Sequence, residues 1–130
     1  MRYPLNIILS YVNINSIRNK FTDLGFLIRD YFDIITIAET KLDQSFPSSE
    51  FALAGYQFPP FRADFKADSG GLLTFVKNDI PARQLDQFKF DPSVQVITIE
   101  LNIKKEKWLI NDFLRDRLTS FYFYSNRPCC

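Results

Sequence analysis

Residues 5–40, LNIILSYVNINSIRNKFTDLGFLIRDYFDIITIAET, decide the fold, because the hydrophobic period changes twice within them. Residues 5–12 form a nearly continuous apolar and β-branched run, as expected of a strand buried on both faces. Asn15 and Ser16 then supply turn and cap chemistry, and over residues 19–32 Phe21, Leu24, Ile28, Tyr31 and Phe32 recur at helical spacing. Asp33 closes the helix, and the Ile-rich run that follows predicts a second buried strand. A strand-helix-strand unit takes a right-handed crossover with parallel strands, which are often neighbours. Asn13 and Glu39 then stand at matching carboxyl ends.

Further along the chain the pattern becomes that of a mixed sheet. Residues 43–69 are rich in Pro, Ser, Asp and aromatics, with Gly55-Tyr56 and Pro59-Pro60 as turn signals, and read as a long loop holding one short strand. From Gly70 the runs GLLTFVK, ARQLDQF and VQVITIELNI predict antiparallel strands, and Lys104 to Lys107 turn the last of them back into Trp108-Leu109-Ile110. Residues 111–130 show no clear amphipathic period. The class is therefore α/β or α+β, a mixed β-sheet with an outer helix, in one domain.

Composition narrows the chemistry. With 46% hydrophobic and 24% charged residues, the 130-residue chain can bury enough apolar surface to fold. Sixteen basic against fifteen acidic residues leave a net charge of +1, which neither requires nor excludes a nucleic-acid partner. The sequence contains no histidine, so a Ser-His-Asp or Cys-His nucleophile and any His-containing zinc site are excluded. Its two cysteines, Cys129 and Cys130, are adjacent and cannot staple distant parts of a fold. With no signal-peptide pattern at the start and no apolar stretch long enough to cross a bilayer, the expectation is a soluble, intracellular protein without membrane contact, compatible with the nucleus.

In α/β sheets ligands gather beyond the carboxyl ends of parallel strands. A carboxylate at Glu39 could hold a hard cation such as Mg²⁺, and the Asn13 amide beside it could orient a phosphate. Strand ends are commonly polar, so topology alone also allows Glu39 as a solvent-facing cap and Asn13 as a turn residue. Lys104, Lys105 and Lys107 read as a solvated hairpin tip or as contacts to a DNA backbone. Gly70-Gly71 lacks the Walker lysine pattern and reads as a strand-entry turn. Asp64, Asp68 and Asp79 read as loop solvation, and the aromatic run Phe121 to Tyr124 as a strand seeking a partner or a surface for stacking bases.

The segments VNINSIRNKFTDL and FDIITIAETKLDQS resemble the opening of the endonuclease/exonuclease/phosphatase (DNase I-like) superfamily, and within it the LINE-type non-LTR retrotransposon endonucleases. Asn13, Ser16 and Ile17 match the family's first strand end, and Arg18-Asn19-Lys20 the retrotransposon version of it. Glu39-Thr40-Lys41 followed by Leu42-Asp43 matches the second strand end. Gly55-Tyr56, the charged loop Arg62 to Asp68, Gly70-Gly71 and Lys77 to Pro81 recur in the family's order. The resemblance covers roughly residues 5–110, leaving 111–130 as a divergent tail.

The resemblance implies part of a DNase I-like four-layer sandwich and a Mg²⁺-dependent phosphodiesterase that nicks DNA, with Glu39 as metal ligand and Asn13 organising the metal and phosphate site. The family's late Asp-His pair and its Asp-x-Asn triplet have no counterpart in this sequence, and Tyr122 and Tyr124 lie in surroundings unlike the family's Tyr segment. A truncated or frame-shifted element copy would produce that break. Three readings follow: an endonuclease-domain fragment inactive alone, another superfamily branch acting on phospholipids or inositol phosphates, and a non-catalytic vestigial or binding protein. A half-sandwich is also expected to leave the inner face of its sheet uncovered and so to self-associate.

Overall fold

The computed structural model describes residues 7–17, 20–28, 31–43, 45–64, 70–85, 95–115 and 118–125. The described strands form two four-stranded sheets. The first has the order β1-β2-β4-β3, from β1 (Leu9–Asn13), β2 (Ile34–Ala38), β3 (Phe61–Ala63) and β4 (Leu72–Val76). The second is the meander β5-β6-β7-β8, from β5 (Ala82–Leu85), β6 (Gln95–Ile103), β7 (Glu106–Arg115) and β8 (Leu118–Ser125). The helix α1 (Phe21–Ile28) crosses from β1 to β2, and the two strands pair in parallel with Asn13 opposite Ala38. All other strand pairs among the described residues are antiparallel, so the first sheet is mixed, in an α+β fold.

Asp33 sets the start of this unit. Its carboxylate accepts from Ile8 N–H at 2.8 Å and its own N–H donates to Ile8 C=O at 2.8 Å, tying the entry of β2 to the entry of β1. The five residues of β2, IITIA, are all buried, as a central strand covered on both faces requires. β1 is different: it is the edge of the sheet, and its residues are half-buried up to an exposed Asn13. The expectation of a first strand buried on both faces is corrected accordingly, because apolar composition does not distinguish an edge from a centre.

The alternation of side chains divides the first sheet between two cores. Ile35, Ile37, Leu73 and Phe75 face α1 and the long loop, meeting Phe51, Leu53 and Tyr56, with Phe21 and Leu24 of the helix against them. Phe21 stacks on Phe75 at 5.7 Å between centroids and meets the edge of Phe51 at 5.5 Å. Tyr31, expected on the helix's apolar face, is instead 69% exposed beyond its end. The opposite face presents Ile34, Ala38, Leu72 and Val76 to Ile97, Ile99, Leu101 and Ile110 of the second sheet.

This second core overturns the expected uncovered face. The strands from Ala82 onward fold back as a sheet of their own, and the two inner faces cover each other. β7 also runs without a break across residue 110, and β8 pairs with it from Arg115 opposite Leu118 to Trp108 opposite Ser125, so the sheet extends into the part of the chain where the family resemblance stops. Among the described residues no helix is long and apolar enough to cross a membrane.

Candidate functional site

Asn13 is the last residue of β1 and Glu39 the first after β2, so the parallel register delivers both to one edge of the sheet. Asn13 is exposed and Glu39 partly buried, and the Asn13 Nδ2–H donates to Glu39 Oε2. Among the described residues Glu39 Oε1 has no hydrogen-bond partner. The pair of residues singled out from the sequence is thus in direct contact.

The backbone around them is held from both sides. Ile14 N–H donates to Ala38 C=O at 3.1 Å, Ser16 N–H to Glu39 C=O at 2.8 Å and Ile17 N–H to Thr40 C=O at 3.1 Å, prolonging the parallel pairing past the strand ends. On the other flank Lys41 N–H donates to Gly70 C=O at 2.8 Å, and Thr40 N–H to Gly71 C=O at 3.4 Å. Four non-glycine residues in these two loops have positive φ: Asn15 at 50°, Ser16 at 88°, Glu39 at 56° and Lys41 at 56°. Each such residue costs of order 1–2 kcal/mol, and conformations of this kind persist where surrounding bonds over-determine them, commonly at functional sites. Here the hydrogen bonds on both flanks do so.

Two cations stand on the same loops. Lys20 Nζ donates to Ile14 C=O at 3.0 Å and Asn15 C=O at 3.2 Å, and Lys41 Nζ donates to Asn15 Oδ1 at 2.5 Å. Among the described residues the edge therefore presents one carboxylate, two amides and two ammonium groups. Among the described residues no group of three Asp, Glu, Cys or His side chains converges as a ready metal cage. Mg²⁺ ordinarily takes only one or two protein carboxylates and fills its shell with water and substrate oxygens. Glu39, with one oxygen unengaged, fits that role as a single ligand.

The remaining sequence candidates lie elsewhere. Gly70 and Gly71 have φ of 71° and 100° and lead into β4, the strand-entry turn expected of them. Lys104 and Lys105 form the exposed tip of the β6–β7 hairpin, with φ of 52° and 67°. Arg62 reaches Asp64 at 2.7 Å, Ser48 Oγ at 3.2 Å and Asp43 C=O at 2.7 Å, so Asp64 serves an ion pair at a groove beside Phe46 and Pro47. Asp79 is exposed in a turn. Arg18, Asn19, Asp68, Cys129, Cys130 and the side chains of Tyr122 and Tyr124 lie outside the described residues.

Sequence reasoning missed Asp112. It is fully buried between the sheets, where its Oδ2 accepts from Thr36 Oγ1 at 3.1 Å and Thr74 Oγ1 at 3.0 Å. Burial pushes its carboxyl up to about 7 against the lowering effect of the two hydroxyls. The signal was present in the alternation: Trp108, Ile110 and Asp112 share one face of β7, and an acid in phase with apolar residues points inward.

No family model and no curated protein matches this sequence. Among solved structures the chain is similar to the 3′ phosphatase NExo from Neisseria, described in complex with a product DNA hairpin, at 18% identity and a TM-score of 0.49. The match covers 78% of this chain and 39% of that one, so the chain spans well under half the length of this structural neighbour.

Proposed function

We propose that residues 5–110 are the opening part of an endonuclease/exonuclease/phosphatase domain of the LINE retrotransposon kind, whose intact relatives nick DNA with Mg²⁺, and that this chain does not cleave DNA alone. The observation that supports the site reading is the contact between Asn13 and Glu39 at adjacent parallel strand ends, held by strained backbone. In that reading Glu39 Oε1 takes the ion, and Asn13 holds the other carboxylate oxygen and fixes the direction of the first. Lys20 and Lys41 make the same edge attractive to a phosphodiester. Bound Mg²⁺ supplies charge neutralisation at the phosphoryl oxygens and acidifies a water.

Hydrolysis also needs a base for that water and further ligands for the ion. The sequence has no histidine and no Asp-x-Asn triplet to provide them. Incubating the purified chain with supercoiled plasmid and Mg²⁺ is expected to leave the plasmid intact. Nicking that disappears in Glu39→Ala would show that the chain is an active nuclease. Thermal shift against Mg²⁺ tests the site itself: a stabilisation lost in Glu39→Ala is expected. The same midpoint with and without Mg²⁺ would remove the metal site and favour a non-catalytic role.

A further inference from the structure

Three oxygen atoms meet at the centre of the apolar layer between the sheets. Thr36 Oγ1 of β2 lies 3.2 Å from Thr74 Oγ1 of β4, and both lie within 3.1 Å of Asp112 Oδ2, which reaches across from β7. All three residues are fully buried, among Ile34, Leu72, Ile97 and Ile110. A closed triangle of oxygens becomes three hydrogen bonds only if it contains three protons. The threonine hydroxyls own one each. An ionised carboxylate owns none, so both hydroxyls would turn to Oδ2 and the contact between Thr36 and Thr74 would be left without a hydrogen. Protonated Asp112 contributes the third proton and closes the ring.

Among the described residues no opposite charge offers a substitute. From β1, Tyr11 lies in register with Thr36 and packs on the same layer. β3 places Phe61 opposite Thr74, β6 places Ile97 opposite Asp112, and β8 places Phe121 at the register position on the other side. Glu106 shares the face of β7 but stands six residues away at the hairpin end. Tyr11 and Glu106 are thus the titratable groups on these surrounding faces among the described residues, and neither is a cation. Among the described residues Asp112 Oδ1 is buried without a partner, which disfavours the charged form further.

We propose that Asp112 is a proton-dependent lock between the two sheets: protonated, it completes a ring that ties β7 to β2 and β4; ionised, it places an uncompensated charge in the layer and loosens the sandwich. β2 leads directly into Glu39, so the lock bears on the sheet that carries the candidate site, yet it is independent of what that site does. The carboxyl pushed up by burial is in accord with the ring.

The test is a carboxyl-carbon NMR titration of the intact chain labelled with ¹³C-aspartate, the Asp112 signal being assigned through its own backbone. A midpoint within about one unit of pH 7 is expected, and a midpoint near 4 would overturn the proposal. In urea unfolding, the equilibrium constant for unfolding is expected to rise by up to about tenfold per pH unit between pH 5 and 7 in the wild type. Asp112→Asn should remove that slope; an unchanged slope in the variant would also overturn the lock. Should the variant fail to fold, the wild-type titration decides alone.

Discussion

Thr40 stands where a β-carbon on Gly71 would be: its Oγ1 lies 2.2 Å from that position. Gly71 has φ of 100°, a conformation that L side chains rarely adopt, so the absence of a side chain serves both the turn and the close approach. Gly71→Ala is therefore expected to destabilise the chain by at least about 2 kcal/mol, from strain and from displacement of the Glu39–Lys41 segment. Urea unfolding measures it, and a variant as stable as wild type would contradict the contact.

Thr40 Oγ1 itself is buried with no hydrogen-bond partner among the described residues. A hydroxyl in that position loses its water and gains nothing in exchange. Thr40→Val keeps the shape and removes the polar atom, and is expected to raise stability by about 1 kcal/mol. A loss of similar size would mean that the hydroxyl has a partner in solution.

Stability should pass through a maximum on the acid side of neutrality. Asp112 has a folded-state value of about 7 against an ordinary 3.8, so between about pH 4 and 7 the folded chain holds a proton that the unfolded chain has released. Stability falls as pH rises through that window and levels off above it, by at most on the order of 4 kcal/mol. Glu100 acts in the opposite sense: its hydrogen bond from Arg83, at 2.9 Å, holds its carboxyl below the usual range. That contribution is present above the usual glutamate value and is lost only as pH falls below it. Denaturant midpoints at pH 4, 5, 6, 7 and 8 check the sign, and a steady rise from pH 5 to 8 would refute it.

Asn13→Asp would set a second carboxylate against Glu39. Two like charges in contact repel, so the variant is expected to be less stable than wild type without divalent ions by about 1 kcal/mol. Mg²⁺ relieves that repulsion, so its stabilising effect should begin at roughly tenfold lower concentration than in wild type. Thermal midpoints over a Mg²⁺ series would show it; equal responses of the two proteins would count against a shared cation position.

Phe75 is fully buried under Phe21 and the edge of Tyr56, with centroids at 5.7 and 6.4 Å. Phe75→Ala leaves a cavity between sheet and helix and is expected to cost about 3–5 kcal/mol. Such a loss is a large part of a small domain's stability, and circular dichroism at 37 °C should show a substantially unfolded population. A change under 1 kcal/mol would mean that α1 does not rest on this ring.

The sequence by itself determined the strand-helix-strand opening, the antiparallel runs after Gly70 and the meeting of Asn13 with Glu39. Hydrophobic period is a local property, and a parallel crossover leaves little freedom in where its strand ends fall. It did not determine that β1 is an edge, that the inner faces cover each other, or that Thr40 fills the space over Gly71, since each depends on which distant segment arrives opposite. Asp112 is the clearest case. In its own stretch it is one acid among several, and its burial arises only because β7 packs against Thr74, 38 residues away, and Thr36, 76 residues away. A side chain's desolvation is set by what covers it, and what covers it here comes from the other sheet.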